Sequence, residues 1–412
     1  MPMQGKKKEH NGNPGVVLVA LLTALALVVG FGPYSRPAMA AQKEVIIGGI
    51  FGLSGAGSEA LARKYDGVKA AAAWINDDKG GIDIKGEKYR IKLLAEDSKG
   101  SLDGMVAAAN KLVFDNKIKF MVGGISVPPF RVAISKLLED NKVLTINVDG
   151  IGINSEMTPK SQYTFGSMVS RASYMVGWEQ FLKFYPKVKT VAIIAPEDPS
   201  TVEDAQHLGD AAKTYNLQIV AEEHYPFGTA DFYPMWTKLL AAKPDVIAAS
   251  VGFGEWVGNI VKQGRELGFK GPFCFLMLGA DSRVIAKMAG STATDIFATN
   301  FDWTSPKMPE MVKKMSQIIK QKIGQDITTD SWMGFEAFWI LAQAIENAQS
   351  VDPTVVRDAF EKMTKFQTTT GPGRLGGAKT YGMAHIIYEP LPVLRIMNGK
   401  VEHIRFIDTS LP

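Results

Sequence analysis

Three stretches of this chain carry letters that suit chemistry. Gly55-Ala56-Gly57-Ser58-Glu59-Ala60 fits G-x-G-x-x-A, the looser dinucleotide pattern, whose small residues let the backbone approach a pyrophosphate at a helix N-terminus. An apolar run, Val45–Ile50, precedes it and an Ala-rich stretch follows, so the setting is right. The acid that would hold a ribose belongs about 20 residues on. The strand-end acids, Glu96 and Asp97, stand roughly twice as far away. Gly371-Pro372-Gly373-Arg374-Leu375-Gly376 matches G-x-G-x-x-G by letters, but no helix signal follows and it reads as a loop. Gly52-Leu53-Ser54-Gly55-Ala56 lacks the last glycine of a nucleophile elbow. His10, His207, His224, His385 and His403 show no paired ligand spacing, and Asp77-Asp78 and Glu222-Glu223 read as solvated faces. The one cysteine, Cys274, lies in the apolar run Phe273-Cys274-Phe275-Leu276 and reads as a buried, inert thiol. The expectation is a protein that binds rather than reacts: no enzyme, no cofactor and no metal.

What positions the Ser54–Ala60 loop is a βαβ unit. Val45–Ile50 is a strand, the Ala-rich stretch to Asp78 a helix, and Tyr89–Ala95, closed by Glu96-Asp97, a second strand. The mouth of such a unit, outside the carboxyl ends of its strands, is where α/β proteins hold small molecules. The beat continues. Strands are predicted at Phe120–Gly124, Val143–Val148, Val188–Ala195, Leu217–His224, Asp245–Val251 and Phe273–Leu278. Helices are predicted at Val132–Asp140, Val202–Tyr215, Phe232–Ala242 and Glu255–Leu267. This alternation argues parallel sheets with helices on both faces, and the strands are too many for one ordinary open sheet. After Asp302 come three helices, Met308–Ile323, Ser331–Ala348 and Pro353–Met363, then strands His385–Tyr388, Pro392–Met397 and Val401–Ile407. Asn398-Gly399 between the last two is a hairpin turn. The fold class is α/β: two doubly wound parallel-sheet lobes.

The N-terminus bears on the compartment. Lys6-Lys7-Lys8, the apolar run Val16–Val29, the breaker Gly30-Phe31-Gly32-Pro33 and the triplet Ala38-Met39-Ala40 are the parts of a cleaved secretory leader. The run is shorter than the roughly 20 residues of a spanning helix. The expectation is export to the periplasm with residues 1–40 removed. The chain has 46 basic and 42 acidic residues. Losing Lys6, Lys7, Lys8 and Arg36 with Glu9 leaves it nearly neutral, so nothing argues for nucleic acid. Without a disulfide framework an exported chain relies on a large core, which about 370 residues in two domains supply.

A set of residues in order resembles the leucine/isoleucine/valine-binding family of periplasmic binding proteins, the receptors of one class of ABC importers. It comprises Ser54-Gly55, Asp66-Gly67, Ile75-Asn76 with Gly80-Gly81-Ile82, Asp97, Gly252 and Gly258, Gly268-Phe269-Lys270, and Ala344-Ile345-Glu346. The resemblance covers nearly all of the mature chain. It implies a clamshell of two lobes joined by three crossing segments, near Ser167-Met168, Asn300–Asp302 and Gly382-Met383. Lobe 1 is then 43–167 plus 303–382, and lobe 2 is 168–302 plus 383–412. A solute binds in the cleft, the lobes close by hinge bending, and a membrane permease receives the closed form, a monomer.

The cleft would be lined by loops at strand ends: Leu53–Leu61 with Ser54 and Ala60, Ile125–Pro129, Asn147–Ile151, Ala195–Ser200, Val251–Trp256 and Leu278–Asp281. Pro128-Pro129 suits the start of a helix whose free N–H groups attract a carboxylate, with Ser126 beside them. The family's carboxylate-binding hydroxyls fall on Val127 and Ile151, its ammonium-binding acid on Leu278, one cleft aromatic on Ser200 and another on or beside Phe253. Only the last keeps its type. The remaining expected contacts are Asn147, Asp149, Gly150 and Asp281. Plain structural roles stand beside these: a helix cap for Ser126 and Asp281, turn chemistry for Asp149, core or rim packing for Phe253 and Trp256. The expected ligand is a small organic solute, either a hydrophobic amino acid or an aromatic or branched carboxylate or amide. Two other readings were weighed: an extracytoplasmic ligand sensor with the same clamshell, and an exported α/β enzyme.

Overall fold

The computed structural model describes residues 42–55, 58–123, 128–149, 154–167, 170–197, 199–226, 228–249, 254–276 and 281–409. The leader lies outside them. Strands β1 (Glu44–Phe51), β2 (Ile82–Ile84), β3 (Glu87–Asp97), β4 (Phe120–Gly123), β5 (Leu144–Asn147) and β6 (Thr164–Ser167) enter a first sheet. Strands β7 (Thr190–Pro196), β8 (Gln218–Tyr225), β9 (Val246–Ala249), β10 (Phe273–Phe275) and β11 (Ile296–Ala298) build a second. Strands β12 (Phe366–Gln367), β13 (Pro372–Gly376) and β14 (Ile386–Tyr388) return to the first, and β15 (Leu391–Met397) and β16 (Lys400–Ile407) finish the second. The orders are β12-β13-β14-β6-β5-β4-β1-β3-β2 and β16-β15-β11-β10-β9-β7-β8. Both sheets are parallel at their centres, as the alternation predicts, with antiparallel strands at the edges.

The helices are α1 (Ser58–Asp78), α2 (Leu102–Asn110), α3 (Pro128–Asp140), α4 (Ser170–Phe184), α5 (Pro199–Thr214), α6 (Tyr233–Ala241), α7 (Gly254–Glu266), α8 (Ser282–Ala289), α9 (Glu310–Ile323), α10 (Thr329–Ala348), α11 (Pro353–Glu361) and α12 (Ala378–Tyr381). None among the described residues is long and apolar enough to cross a membrane. A strand's side chains alternate faces, so β1 needs cover on both. Val45, Ile47 and Phe51 pack with α1 and α10, while Ile46 and Ile50 pack with Met105 of α2 and Ile134 of α3. In β7, Ala192 and Ile194 face the layer of Trp236 and Val261, while Val191 and Ile193 face Trp178 and Leu208. These helix–sheet–helix layers give the two doubly wound parallel-sheet lobes that the alternation of strands and helices predicts.

Three observations differ from the sequence reading. Gly371–Gly376, read as a loop, contains β13, paired antiparallel with β14, because Gly376 leaves the space that the Tyr388 ring covers. Residues 102–110, passed over, form α2. The chain also stays in the first sheet past the expected crossing at Gly382-Met383, since β14 pairs parallel with β6 and only β15 joins the second. The cause is His385. Its buried ring stacks on Phe165 at 4.0 Å, and its two nitrogens face the carbonyls of Ser161 and Thr164 and the Glu361 carboxylate. Residues 383–388 thus stand with the first sheet, not in lobe 2. The Asn398-Gly399 turn is present, both residues having positive φ (49° and 75°) as a type I′ hairpin requires.

α1 and α10 meet backbone to backbone. A Cβ on Gly67 would run into the Ser331 carbonyl, and one on Gly334 into the Lys64 carbonyl. Alanine is the better helix former by about 1 kcal/mol. Gly334→Ala should nevertheless destabilise the protein by about 2–3 kcal/mol, because the filled contact must spread. A lower urea midpoint at unchanged slope checks this.

Candidate functional site

The mouth of the first sheet is built from the carboxyl ends of β1, β4, β5 and β6 and the starts of α1 and α3. Asp97, ending β3, clamps the loop after β1. Its carboxylate accepts the N–H groups of Leu53 at 2.9 Å, Ser54 at 3.2 Å and Lys99 at 2.8 Å, while the Ser54 hydroxyl donates at 2.6 Å. Partial burial pushes this carboxyl up, but the Ser54 hydroxyl and the three N–H groups outweigh it and hold it below its ordinary range. Ser54 is therefore a loop clamp, with its one hydroxyl proton committed to Asp97.

Asn147 ends β5, buried, beside Gly123. It lines a cavity of about 20 Å³ with Gly123, Arg131, Thr145, Glu156 and Thr164, room for about one water molecule. Two residues on, Asp149 belongs to a ladder of alternating charge. Lys64 of α1 pairs with Asp149 and lies 3.7 Å from Asp330 at the start of α10. Arg131 of α3 lies 3.8 Å from the other Asp149 oxygen and pairs with Glu156. The side chains of Lys64, Arg131 and Glu156 are 4%, 7% and 1% exposed, so water screens these charges little. Burial raises the Asp330 carboxyl; Lys64 works against that shift and the Asp149 charge adds to it. The ladder ties the loop after β5 to α1, α3 and α10.

Sequence reasoning found Asp149 but missed Lys64, Arg131, Glu156 and Asp330. A signal was present. Lys64 shares the buried stripe of α1 with Val68, Ala71 and Ile75, and Arg131 that of α3 with Ile134 and Leu138. A cation on an apolar stripe needs a buried partner.

The mouth of the second sheet gathers the ends of β7, β8, β9, β10 and β11 with the starts of α5, α7 and α8. Trp256, in the first turn of α7, meets Tyr225 edge to face at 6.0 Å, and Tyr225 meets Phe232 at 5.1 Å. Trp256 is thus half-buried rim packing. The Tyr225 hydroxyl is buried with no hydrogen-bond partner among the described residues, and burial drives its pKa upward. Asp281 caps α8 by accepting the Arg283 N–H at 2.8 Å, and both its oxygens face the Arg283 guanidinium. This is the helix-cap role weighed for it above.

Ser54, Asn147 and Asp149 come together at one mouth; Asp281 stands at the other. Ala60 and Ser200 lie in the first turns of α1 and α5, with side chains outside the description. Ser126, Val127, Gly150, Ile151, Phe253 and Leu278 lie outside the described residues. Lys64→Met, which strips Asp149 and Asp330 of their shared cation, should cost about 3 kcal/mol in urea unfolding. Asp149→Asn in that background should restore part of the loss.

Comparison with known proteins gives a family model described as periplasmic binding protein, matching residues 44–399. A leucine-binding protein from Thermotoga maritima is similar in structure, with a TM-score of 0.69 and 19% identity over 88% of this chain and 99% of that one. So is the branched-chain amino acid transporter substrate-binding protein LivJ of Streptococcus pneumoniae in complex with isoleucine, with a TM-score of 0.69 and 20% identity over 89% and 100% of the two chains. An ABC-transporter solute-binding protein of Rhodopseudomonas palustris in complex with 3,4-dihydroxybenzoic acid has a TM-score of 0.71 and 19% identity over 89% and 98%.

Proposed function

Because this chain belongs to the periplasmic binding protein family, we propose that it is the solute receptor of an ABC importer, holding a small organic molecule between its lobes and delivering it unchanged to a membrane permease. The observation that carries this is the family match, running unbroken through two covered parallel sheets whose strand ends meet helix starts at both mouths. The lobes are 43–167 with 303–388, and 170–302 with 391–409, and closure turns on the segments that pass between the sheets. The sensor reading gains no support from the relatives above, two of which carry transporter names. Residues 1–40 are removed on export, and the mass of the exported protein should place its first residue at Ala41.

The ligand is an aromatic or branched carboxylate or amide in preference to a free amino acid. Val127, Ile151 and Leu278 stand where amino-acid binders of the family place polar groups. A buried ammonium or carboxylate without a partner costs several kcal/mol, against about 8 kcal/mol for all of a micromolar affinity. A single carboxylate at the start of α3 would need fewer such side chains: Pro128 and Pro129 have no N–H, but those of Phe130 and Arg131 are free to receive it. The relatives bound to isoleucine and to 3,4-dihydroxybenzoic acid show that similar folds accommodate both classes.

A thermal-shift screen of the purified protein with leucine, isoleucine, valine, benzoate-type acids and short amides tests this. A true ligand at about a hundred times its Kd adds about 2.7 kcal/mol of stability and shrinks the radius of gyration as the lobes close. Shifts with aliphatic amino acids and none with the acids would reverse the ligand reading. No shift with any solute, together with turnover of one, would reverse the receptor reading.

A further inference from the structure

Two acids lie deep in the molecule, and among the described residues no cation acts on them. Glu336, midway along α10, is 1% exposed, and Glu389, just past β14 where the chain leaves the first sheet for the second, is 2% exposed. Glu336 accepts the Thr369 N–H with both oxygens, at 3.0 and 3.1 Å. One oxygen of Glu389 accepts the Thr370 hydroxyl at 3.1 Å, and the other is buried with no hydrogen-bond partner. The Glu389 carbonyl accepts the Thr409 hydroxyl at 2.8 Å.

Charged side chains on the elements that carry or adjoin the pair have partners of their own. Arg374 of β13 pairs with Asp408 at 2.6 Å near the surface, His385 of the β6–β14 junction faces Glu361, and Asp330 of α10 faces Lys64. Among the described residues, the groups that favour the ionised acids are the threonines at 368, 369 and 370. Two ionised carboxylates in such a place are strongly disfavoured. Burial pushes Glu336 up to about 7. Burial and then the charge of Glu336 push Glu389 well above the ordinary carboxylate range.

The position of the pair gives this chemistry a consequence. Thr369, which holds Glu336, also accepts the Trp332 indole N–H through its hydroxyl at 2.7 Å. The Trp332 ring packs on Phe301 at 4.6 Å, and Phe301 stacks on Trp303 at 4.1 Å. Phe301 and Trp303 lie just after β11, where the chain passes back from the second sheet. One short loop, 368–371, therefore joins the acid pair to two of the passages between the sheets.

We propose that Glu336 and Glu389 form a proton-held latch: while they carry protons, the passages at 299–303 and 389–390 are fixed on α10, and loss of the protons releases them. Carboxyl groups whose pKa rises on folding contribute stability that is complete below the unfolded value of about 4.3 and is lost as pH rises through about 7 and above. The latch is thus tight in acid and loose in base.

The test uses the purified full chain, as wild type, E336Q, E389Q and the double variant, from about pH 5 to about pH 8.5. The wild-type melting temperature should fall by several degrees across that range, while amide exchange quickens at 386–392 and 299–303. A neutral amide needs no proton, so E389Q or the double variant should flatten the fall and keep exchange slow in base. The same pH slope in the glutamine variants as in wild type, or exchange at the passages that ignores pH, would overturn the proposal. Should the variants fail to fold, infrared spectroscopy of the wild type decides. A protonated-carboxyl stretch that persists at about pH 6 and fades above about pH 7 supports the latch, and its absence at the lower pH rejects it.

Discussion

The close approach of α1 and α10 is the constraint on which the rest depends. Glycine at 67 and 334 removes the Cβ atoms that would hold the two backbones apart. The Lys64 ammonium can then reach Asp330, at the first turn of α10, as well as Asp149 beyond β5. The same placement carries Trp332 to the aromatic stack with Phe301 and Glu336 to the loop at Thr369. One helix thus runs from the mouth of the first sheet to the segments that leave it. A helix presents residues three and four apart on one face, so Trp332 and Glu336 serve a single neighbour.

The buried charges fall into two kinds. In the Asp330–Lys64–Asp149–Arg131–Glu156 ladder, signs alternate and each charge has an opposite neighbour. That arrangement offsets desolvation and sets the loop after β5 firmly. Glu336 and Glu389 are instead two acids together, and among the described residues a threonine N–H and a threonine hydroxyl donate to them. The ladder sits at the mouth of the first sheet, and Glu389 sits where the chain changes sheets.

Among the described residues at the mouths, two polar side chains expected to meet a ligand are spent on the protein itself. Ser54 gives its proton to Asp97, and Asp281 faces Arg283. Such groups shape loops, and preorganised loops bind a guest without paying again for their ordering.

Much of this was legible in the residues alone. Period-two apolar runs and helical stripes located most strands and helices, because those signals come from neighbours within one turn or one pleat. Pro128-Pro129 marked the start of α3, and Asp281 could be read as a cap, for the same local reason. Loops at strand ends followed from the α/β beat. What sits opposite what did not follow. Lys64 and Asp149 are 85 positions apart and Ser161 and His385 are 224 apart, and no local pattern couples them. His385 looked like an isolated histidine, yet its stack on Phe165 holds β14 in the first sheet and moves the last passage to Glu389. Glu336 looked like one polar letter in an apolar helix; only the folded chain brings Glu389 to bear on it. The sequence determined the elements and their covered faces, since hydrophobic period acts over a few residues. Tertiary structure alone decided which charges share a low-dielectric interior, since that depends on where distant segments are brought together.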